Sequence, residues 1–160
     1  MRRLTILATA LALLFTASCG RPERGASSPM ATQRDGSEVA VGPEAGKVTL
    51  VHFWAVWCGP CRMELPGFVK FAKENESEKL RWVAVANDPS FDVVDEHLRK
   101  EGIAMESLLD PKGASLNAWK VDAIPTTIVL DGSGRELARY VGAHNWNDRG
   151  QQDEILKLAR

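Results

Sequence analysis

The chain has 160 residues and balances 20 Lys and Arg against 21 Asp and Glu, a net charge of −1. That length supports one globular domain with a real core and little else. Acids and bases are interspersed, with neither a basic patch carrying interleaved aromatics nor an acidic tail, so nucleic acid is excluded as a partner.

Met1-Arg2-Arg3 supplies positive charge, and Leu4 to Ala17 is an almost unbroken apolar run ending in small residues. This is the pattern of an export leader. The run is shorter than the roughly 18 to 20 residues that span a bilayer, so it reads as a signal peptide rather than a permanent anchor. Cys19 follows at once in Thr16-Ala17-Ser18-Cys19-Gly20. The arrangement resembles a bacterial lipoprotein signal, in which small residues precede a cysteine that is lipidated and becomes the new N-terminus. Thr16 stands where that pattern usually has Leu. Residues 1–19 are therefore expected to be a signal peptide ending in a lipidated Cys19, and the protein to be extracytoplasmic, periplasm-facing and tethered to a membrane.

Residues 20–46 are rich in Gly, Ser, Pro, Ala and charge, with only Glu38 to Val41 able to pack, and are expected to form a flexible tether. The globular domain is expected over 47–160. Lys47 to Ala55 is a β-branched and aromatic run, as a buried strand would be. A helix over 60–77 should turn Met63, Phe68, Phe71 and Ala72 inward, with Pro66 kinking it. Leu80 to Ala86 reads as a second buried strand, and 91–101 as a helix that Ser90 can cap. Ser107 to Leu109 is a short strand and 114–119 a short helix. Thr126 to Leu130 and Arg135 to Val141 form a hairpin across Asp131-Gly132-Ser133-Gly134, and 147–160 is a closing helix with Ile155 and Leu156 inward. This order implies an α/β fold with a parallel core and an antiparallel hairpin at one edge.

Between the first strand and its helix lies Trp57-Cys58-Gly59-Pro60-Cys61. Two intervening residues let both sulfurs meet across one helical turn, so the pair can close a small reversible disulfide. If Cys58 precedes the helix, unpaired N–H groups and the helix dipole lower its pKa and favour the reactive thiolate. Pro60 suits the first turn, where its missing N–H is no loss. Taken alone, the pair could oxidise, reduce, isomerise or supply half of a zinc site.

Several separate stretches over 47–160 together resemble the thioredoxin superfamily. Phe53-Trp54-Ala55 with Trp57-Cys58-Gly59-Pro60-Cys61 is similar to the family's active-site strand and helix start. Pro66 falls where the family kinks that helix, Ile124-Pro125-Thr126 resembles its cis-proline loop, and Val141-Gly142-Ala143 the end of its last strand. Cys61-Arg62-Met63-Glu64-Leu65-Pro66, with Ile124-Pro125-Thr126-Thr127 and the exported N-terminus, resembles the membrane-associated TlpA and ResA type. The departure is at the N-terminus, where no clear β-hairpin is legible.

The resemblance implies a thioredoxin-like fold and a thiol-disulfide oxidoreductase without a dissociable cofactor or metal, acting as a monomer on protein disulfides. Cys58 would attack and Cys61 resolve, Trp57 would shield the pair, and Ile124, cis-Pro125 and Thr126 would line the substrate groove. It also implies a membrane-embedded thiol reductase as electron donor and a place in cytochrome c maturation. Reduction is the favoured direction, because Gly59-Pro60 matches reducing thioredoxins at about −270 mV, against about −120 mV for the oxidant DsbA. Oxidase or isomerase activity, or a non-catalytic partner-binding module, are the alternatives. His52 occupies the position of the family's buried Asp and, with an unperturbed pKa near 6.5, could take the Cys61 proton. Glu64 could tune the thiols as a nearby carboxylate. His97 and His144 read as surface or loop residues without ligand spacing.

Overall fold

A computed structural model describes residues 29–159. The leader, Cys19 and the first part of the expected tether lie outside the described residues.

A seven-stranded sheet in the order β2-β1-β5-β4-β3-β6-β7 forms the centre. Its strands are β1 (Met30–Thr32), β2 (Glu38–Ala40), β3 (Val48–Trp54), β4 (Leu80–Ala86), β5 (Leu108–Leu109), β6 (Thr126–Leu130) and β7 (Glu136–Val141). β3, β4 and β5 run parallel, as the helical crossovers between them require. The pairs β3–β6, β6–β7, β1–β5 and β1–β2 are antiparallel. Around the sheet lie α1 (Gly59–Asn75), α2 (Phe91–Lys100), α3 (Ala114–Ala118) and α4 (Arg149–Leu158).

The central strand β3 is buried along its whole length, which explains why its sequence is mostly β-branched, aliphatic and aromatic rather than strictly alternating with polar residues. Its side chains still alternate between faces. Val48, Leu50 and Trp54 join one core with Phe68 and Phe71 of α1, Val94 and Leu98 of α2, and Ile155 of α4. Val51 and Phe53 join a second core with Ala31, Val41, Val85, Ile128 and Leu130, against which Leu116 and Trp119 pack. The parallel register ends at Trp54↔Ala86, so the segments that follow both strands leave the same end of the sheet.

Four expectations need correction. Residues 30–41 of the expected 20–46 tether are folded, because β1 and β2 form an N-terminal hairpin, with Ala31 and Val41 buried. The domain therefore starts by Pro29 and not at Lys47, and the hairpin judged missing is present. Each of these strands has only three residues, too few for a period of two to stand out from a polar background. The hairpin is clasped by an Arg34–Asp95 ion pair, and the Arg34 guanidinium lies 5.1 Å above the Phe91 ring. Met63 is 77% exposed rather than inward. The buried stripe of α1 runs through Cys61, Glu64, Leu65, Phe68 and Ala72, and Met63 falls off that face. Ser90 is the α2 N-cap residue but its side chain makes no capping bond. His97 is buried on α2, not at the surface.

Candidate active site

At the end of β3 the chain turns through Ala55, Val56 and Trp57 into α1, with Cys58 as the N-cap residue in extended conformation. Its Sγ accepts the Cys61 N–H at 3.2 Å, and its carbonyl accepts the Arg62 N–H at 3.1 Å. The sulfur thus takes the place that an oxygen side chain holds in an ordinary N-cap. Sγ of Cys58 and Cys61 are joined in a disulfide, with the Cα atoms 5.2 Å apart. Cys58 retains 6% exposure and Cys61 none, so Cys58 is the more accessible member of the pair.

The turn is held from below by the corner after β4. Asn87 donates its N–H to Trp54 O at 2.9 Å and accepts the Trp57 indole N–H on its carbonyl at 2.8 Å. Asp88, buried, accepts the Val56 N–H on Oδ2 at 2.9 Å. Burial raises the Asp88 pKa, and the Val56 N–H opposes that shift. Asn87 Nδ2 also donates to Asp110 O at 2.7 Å, and the Asp110 carboxylate accepts the Ala114, Ser115 and Leu116 N–H groups that open α3. Trp57 is 66% exposed although its N–H is engaged. Its ring is therefore an oriented apolar surface beside Cys58 rather than a free rotor. Trp54 is fully buried and donates to Ser107 Oγ at 3.1 Å.

Across the disulfide lies the loop before β6, where the Ile124–Pro125 peptide is cis. Ile124 O stands 3.6 Å from Cys58 Sγ. Thr126 is buried and turns its hydroxyl to Ala123 O at 2.7 Å, bracing the loop. Pro125 O accepts the Gly142 N–H at 2.8 Å, so the loop is also fixed to the end of β7.

Glu64 ties the helix to that same region. It is buried on α1 and accepts the His144 N–H, two residues beyond Gly142. Burial raises its pKa, and the His144 N–H counters the shift. Trp146 Nε1 is buried without a hydrogen-bond partner. On the far side of Glu64 lies His52, fully buried, with Nε2 at 3.7 Å from Glu64 Oε1 and Nδ1 at 2.8 Å from Thr127 Oγ1. Its ring stacks on Phe68 at 4.0 Å. Burial pushes its pKa down to about 3, which favours the neutral ring. The structure thus places Cys58, Cys61, Trp57, Ile124, Pro125 and Thr126 together, with Glu64 and His52 in a layer beneath.

Sequence reasoning missed Asn87, Asp88 and His144. Asn87 and Asp88 carry no local signal of their bonds to the turn after β3, and the Glu64–His144 contact joins residues far apart in the chain. Among the described residues, no three His, Cys, Asp or Glu side chains gather as a metal site would need.

A cysteine at a helix N-cap, disulfide-bonded to a partner one turn on and facing a cis-proline loop, defines a thiol-disulfide oxidoreductase of thioredoxin-like fold. The chain belongs to the Redoxin family, whose model matches residues 23–156, and within it is of the TlpA/ResA type. It is 28% identical to sporulation thiol-disulfide oxidoreductase A of Bacillus subtilis over 68% of this chain and 67% of that protein. To thiol-disulfide oxidoreductase ResA of the same organism it is 27% identical, over 68% and 60% respectively. The crystal structure of StoA from Bacillus subtilis superposes with a TM-score of 0.66 at 25% identity, covering 79% of this chain and 94% of that one.

Proposed function

We propose that the protein is an extracytoplasmic, lipid-anchored reductase of protein disulfides, with Cys58 as nucleophile and Cys61 as resolving thiol. The observation that carries the reading is Cys58 at the α1 N-cap, the more exposed sulfur of the pair, facing Ile124 O across the cis-proline loop.

In the reduced protein the Cys58 thiolate is stabilised by the N-terminal N–H groups of α1. It attacks one sulfur of the substrate disulfide, forming a mixed disulfide and expelling one substrate thiolate. Cys61, deprotonated in turn, attacks Cys58 Sγ, which closes the 58–61 disulfide and expels the second substrate thiolate. Two electrons pass from the cysteine pair to the substrate, and the expelled thiolates take up protons according to pH. A membrane-embedded dithiol donor then returns the pair to the reduced state. Ile124 supplies backbone bonding to an extended substrate segment, and Trp57 an apolar wall.

Reduction is supported by Gly59-Pro60 between the cysteines, and the extracytoplasmic address by the leader and Cys19. Residues 1–19 are the signal segment, the tether runs from residue 20 to the start of the hairpin, and the substrates belong to cytochrome c maturation, in keeping with the TlpA/ResA type.

The test has two readouts. Equilibration with a glutathione redox series should give a potential close to that of thioredoxin, about −270 mV. A value near −120 mV would reverse the proposed direction. In the producing cell, Cys61→Ser should accumulate mixed disulfides through Cys58, whose identification names the substrates, and an absence of adducts would count against the catalytic assignment.

A further inference from the structure

The sheet topology places the attachment point of the proposed anchor and the redox centre at the same end of the domain. β3 and β4 run parallel and deliver Cys58 and Asp88 at their C-terminal ends. β5 runs parallel to β4, and β1 antiparallel to β5, so β1 begins at the end where β3 finishes. Pro29, whose carbonyl accepts the Val41 N–H, sits just before it. β1 is three strands from β3 in the sheet order, about 14 Å sideways at ordinary strand spacing. The chain between Cys19 and Pro29 can span at most about 35 Å, roughly the diameter of a domain of this size. A lipid on Cys19 would therefore hold the Cys58 end towards the bilayer, since the opposite end could meet it only with the linker drawn fully around the domain.

The distribution of exposed apolar side chains is a second, independent observation. Among the described residues four large hydrophobics are exposed: Met30, Trp57, Met63 and Val141. Met30 opens β1, and Trp57 adjoins Cys58. Met63 lies in the first two turns of α1, and Val141 pairs with Thr126 beside the cis-proline loop. All four lie at the Cys58 end. The opposite end holds the end of α4, where Leu158 and Ala159 share a hollow with Lys47, Val48, Lys79 and Gly132. Among the described residues the large exposed apolar side chains are confined to the Cys58 end, where a docking face would present them.

We propose that this end, which carries Cys58 and the exposed Met30, Trp57, Met63 and Val141, docks on an apolar disulfide-bearing segment of a membrane protein at the bilayer surface, and that the position of the anchor selects such partners over soluble ones. The proposal rests on the lipid anchor at Cys19 proposed above. Chemistry at the site is unchanged: Cys58 attacks the membrane-borne disulfide and two electrons pass from the 58–61 dithiol.

The test compares two lipid attachments on phosphatidylcholine vesicles that display a membrane-anchored apolar disulfide peptide, with dithiothreitol as limiting reductant. One protein is the chain from Cys19, lipidated there with a maleimide lipid while Cys58 and Cys61 are oxidised. The other is Cys19→Ser, lipidated on a cysteine appended beyond Arg160 after a spacer of matching length. With rates normalised to the same peptide free in solution, attachment at Cys19 should reduce the anchored peptide about 10-fold faster. Equal rates, or a faster C-terminal attachment, would overturn the proposal. So would binding of the unlipidated chain to vesicles without peptide, which would assign the apolar end to lipid. Mass analysis of the cell-derived protein is separate: an unacylated Cys19 would remove the proposed natural anchor while leaving the vesicle comparison able to read the docking face.

Discussion

His52 and Glu64 show how far burial changes the chemistry expected of a side chain. Desolvation pushes the His52 imidazole down to about 3, which favours the neutral ring near pH 7. Its folded pKa lies below the ordinary 6.5, so the unfolded chain takes up a proton first. Stability should be fully present above about pH 6.5 and decline as pH falls from there towards 3, by up to about 1.4 kcal/mol per pH unit. His52→Asn should flatten that acid limb in urea titrations between pH 4 and 8. The slope of reduction rate against pH should match the unsubstituted protein, and a displaced rate profile would restore a proton-transfer role for His52. Glu64 shifts the other way. Its pKa is raised by burial, so its contribution is favourable below its unfolded pKa and is lost as pH rises through the folded value. Glu64→Gln removes that pH dependence and should lower the apparent thiol pKa of the pair. Glu64→Ala also leaves the His144 N–H unpaired and should cost a further 1–3 kcal/mol or so, read as the difference in unfolding free energy between the two variants. Cys58 and Cys61 were legible because their chemistry is written in a spacing of three. The burial of Glu64 was not, because it depends on a loop 80 positions away.

At the scale of elements, the corner after β4 is the main support of the reactive turn. Asp88→Ala strands the Val56 N–H and should slow disulfide exchange per folded molecule, with a stability loss of about 1–3 kcal/mol. Asp88→Asn keeps an acceptor and should restore most of the rate; equal defects in both variants would point to charge instead of position. The β6–β7 turn shows a different dependence. A Cβ on Gly132 would lie 2.7 Å from the backbone nitrogen of Gly46. Gly132→Ala should therefore lower the melting temperature, by roughly 1–3 kcal/mol of overpacking, and unchanged melting would show that the 43–47 segment can yield. Strands β3, β4 and β6 could be read from sequence because they are rich in β-branched and aliphatic residues, with β3 and β6 buried along their whole length. The approach of Gly132 to Gly46 left no local signal, since the glycine serves a contact with another segment and not its own turn.

For the whole molecule, the N-terminal hairpin decides where the domain begins. Ala31 and Val41 are buried in the second core, and Arg34 clasps α2 through Asp95. A chain limited to 47–160 should lose cooperative stability, by about 1.5–3 kcal/mol for the Val41 side chain alone, a large share of the 5–15 kcal/mol typical of a domain. Calorimetric traces that coincide for the short and long chains would place the hairpin outside the folding unit. Residues 47–160 carried the thioredoxin-like pattern in long apolar runs and in Trp57-Cys58-Gly59-Pro60-Cys61, whereas β1 and β2 gain their meaning only from pairing with each other and from the pairing of β1 with β5. Everything proposed for function converges on the reactivity of Cys58 relative to Cys61. That difference can be measured by alkylating the reduced protein with iodoacetamide across pH and mapping the modified site by mass spectrometry. Cys58 should react first, with an apparent pKa below the 8.5 or so of a free thiol, and Cys61 should stay unmodified until the protein unfolds. Earlier modification of Cys61, or a Cys58 that titrates like a free thiol, would contradict the assignment of Cys58 as the attacking sulfur.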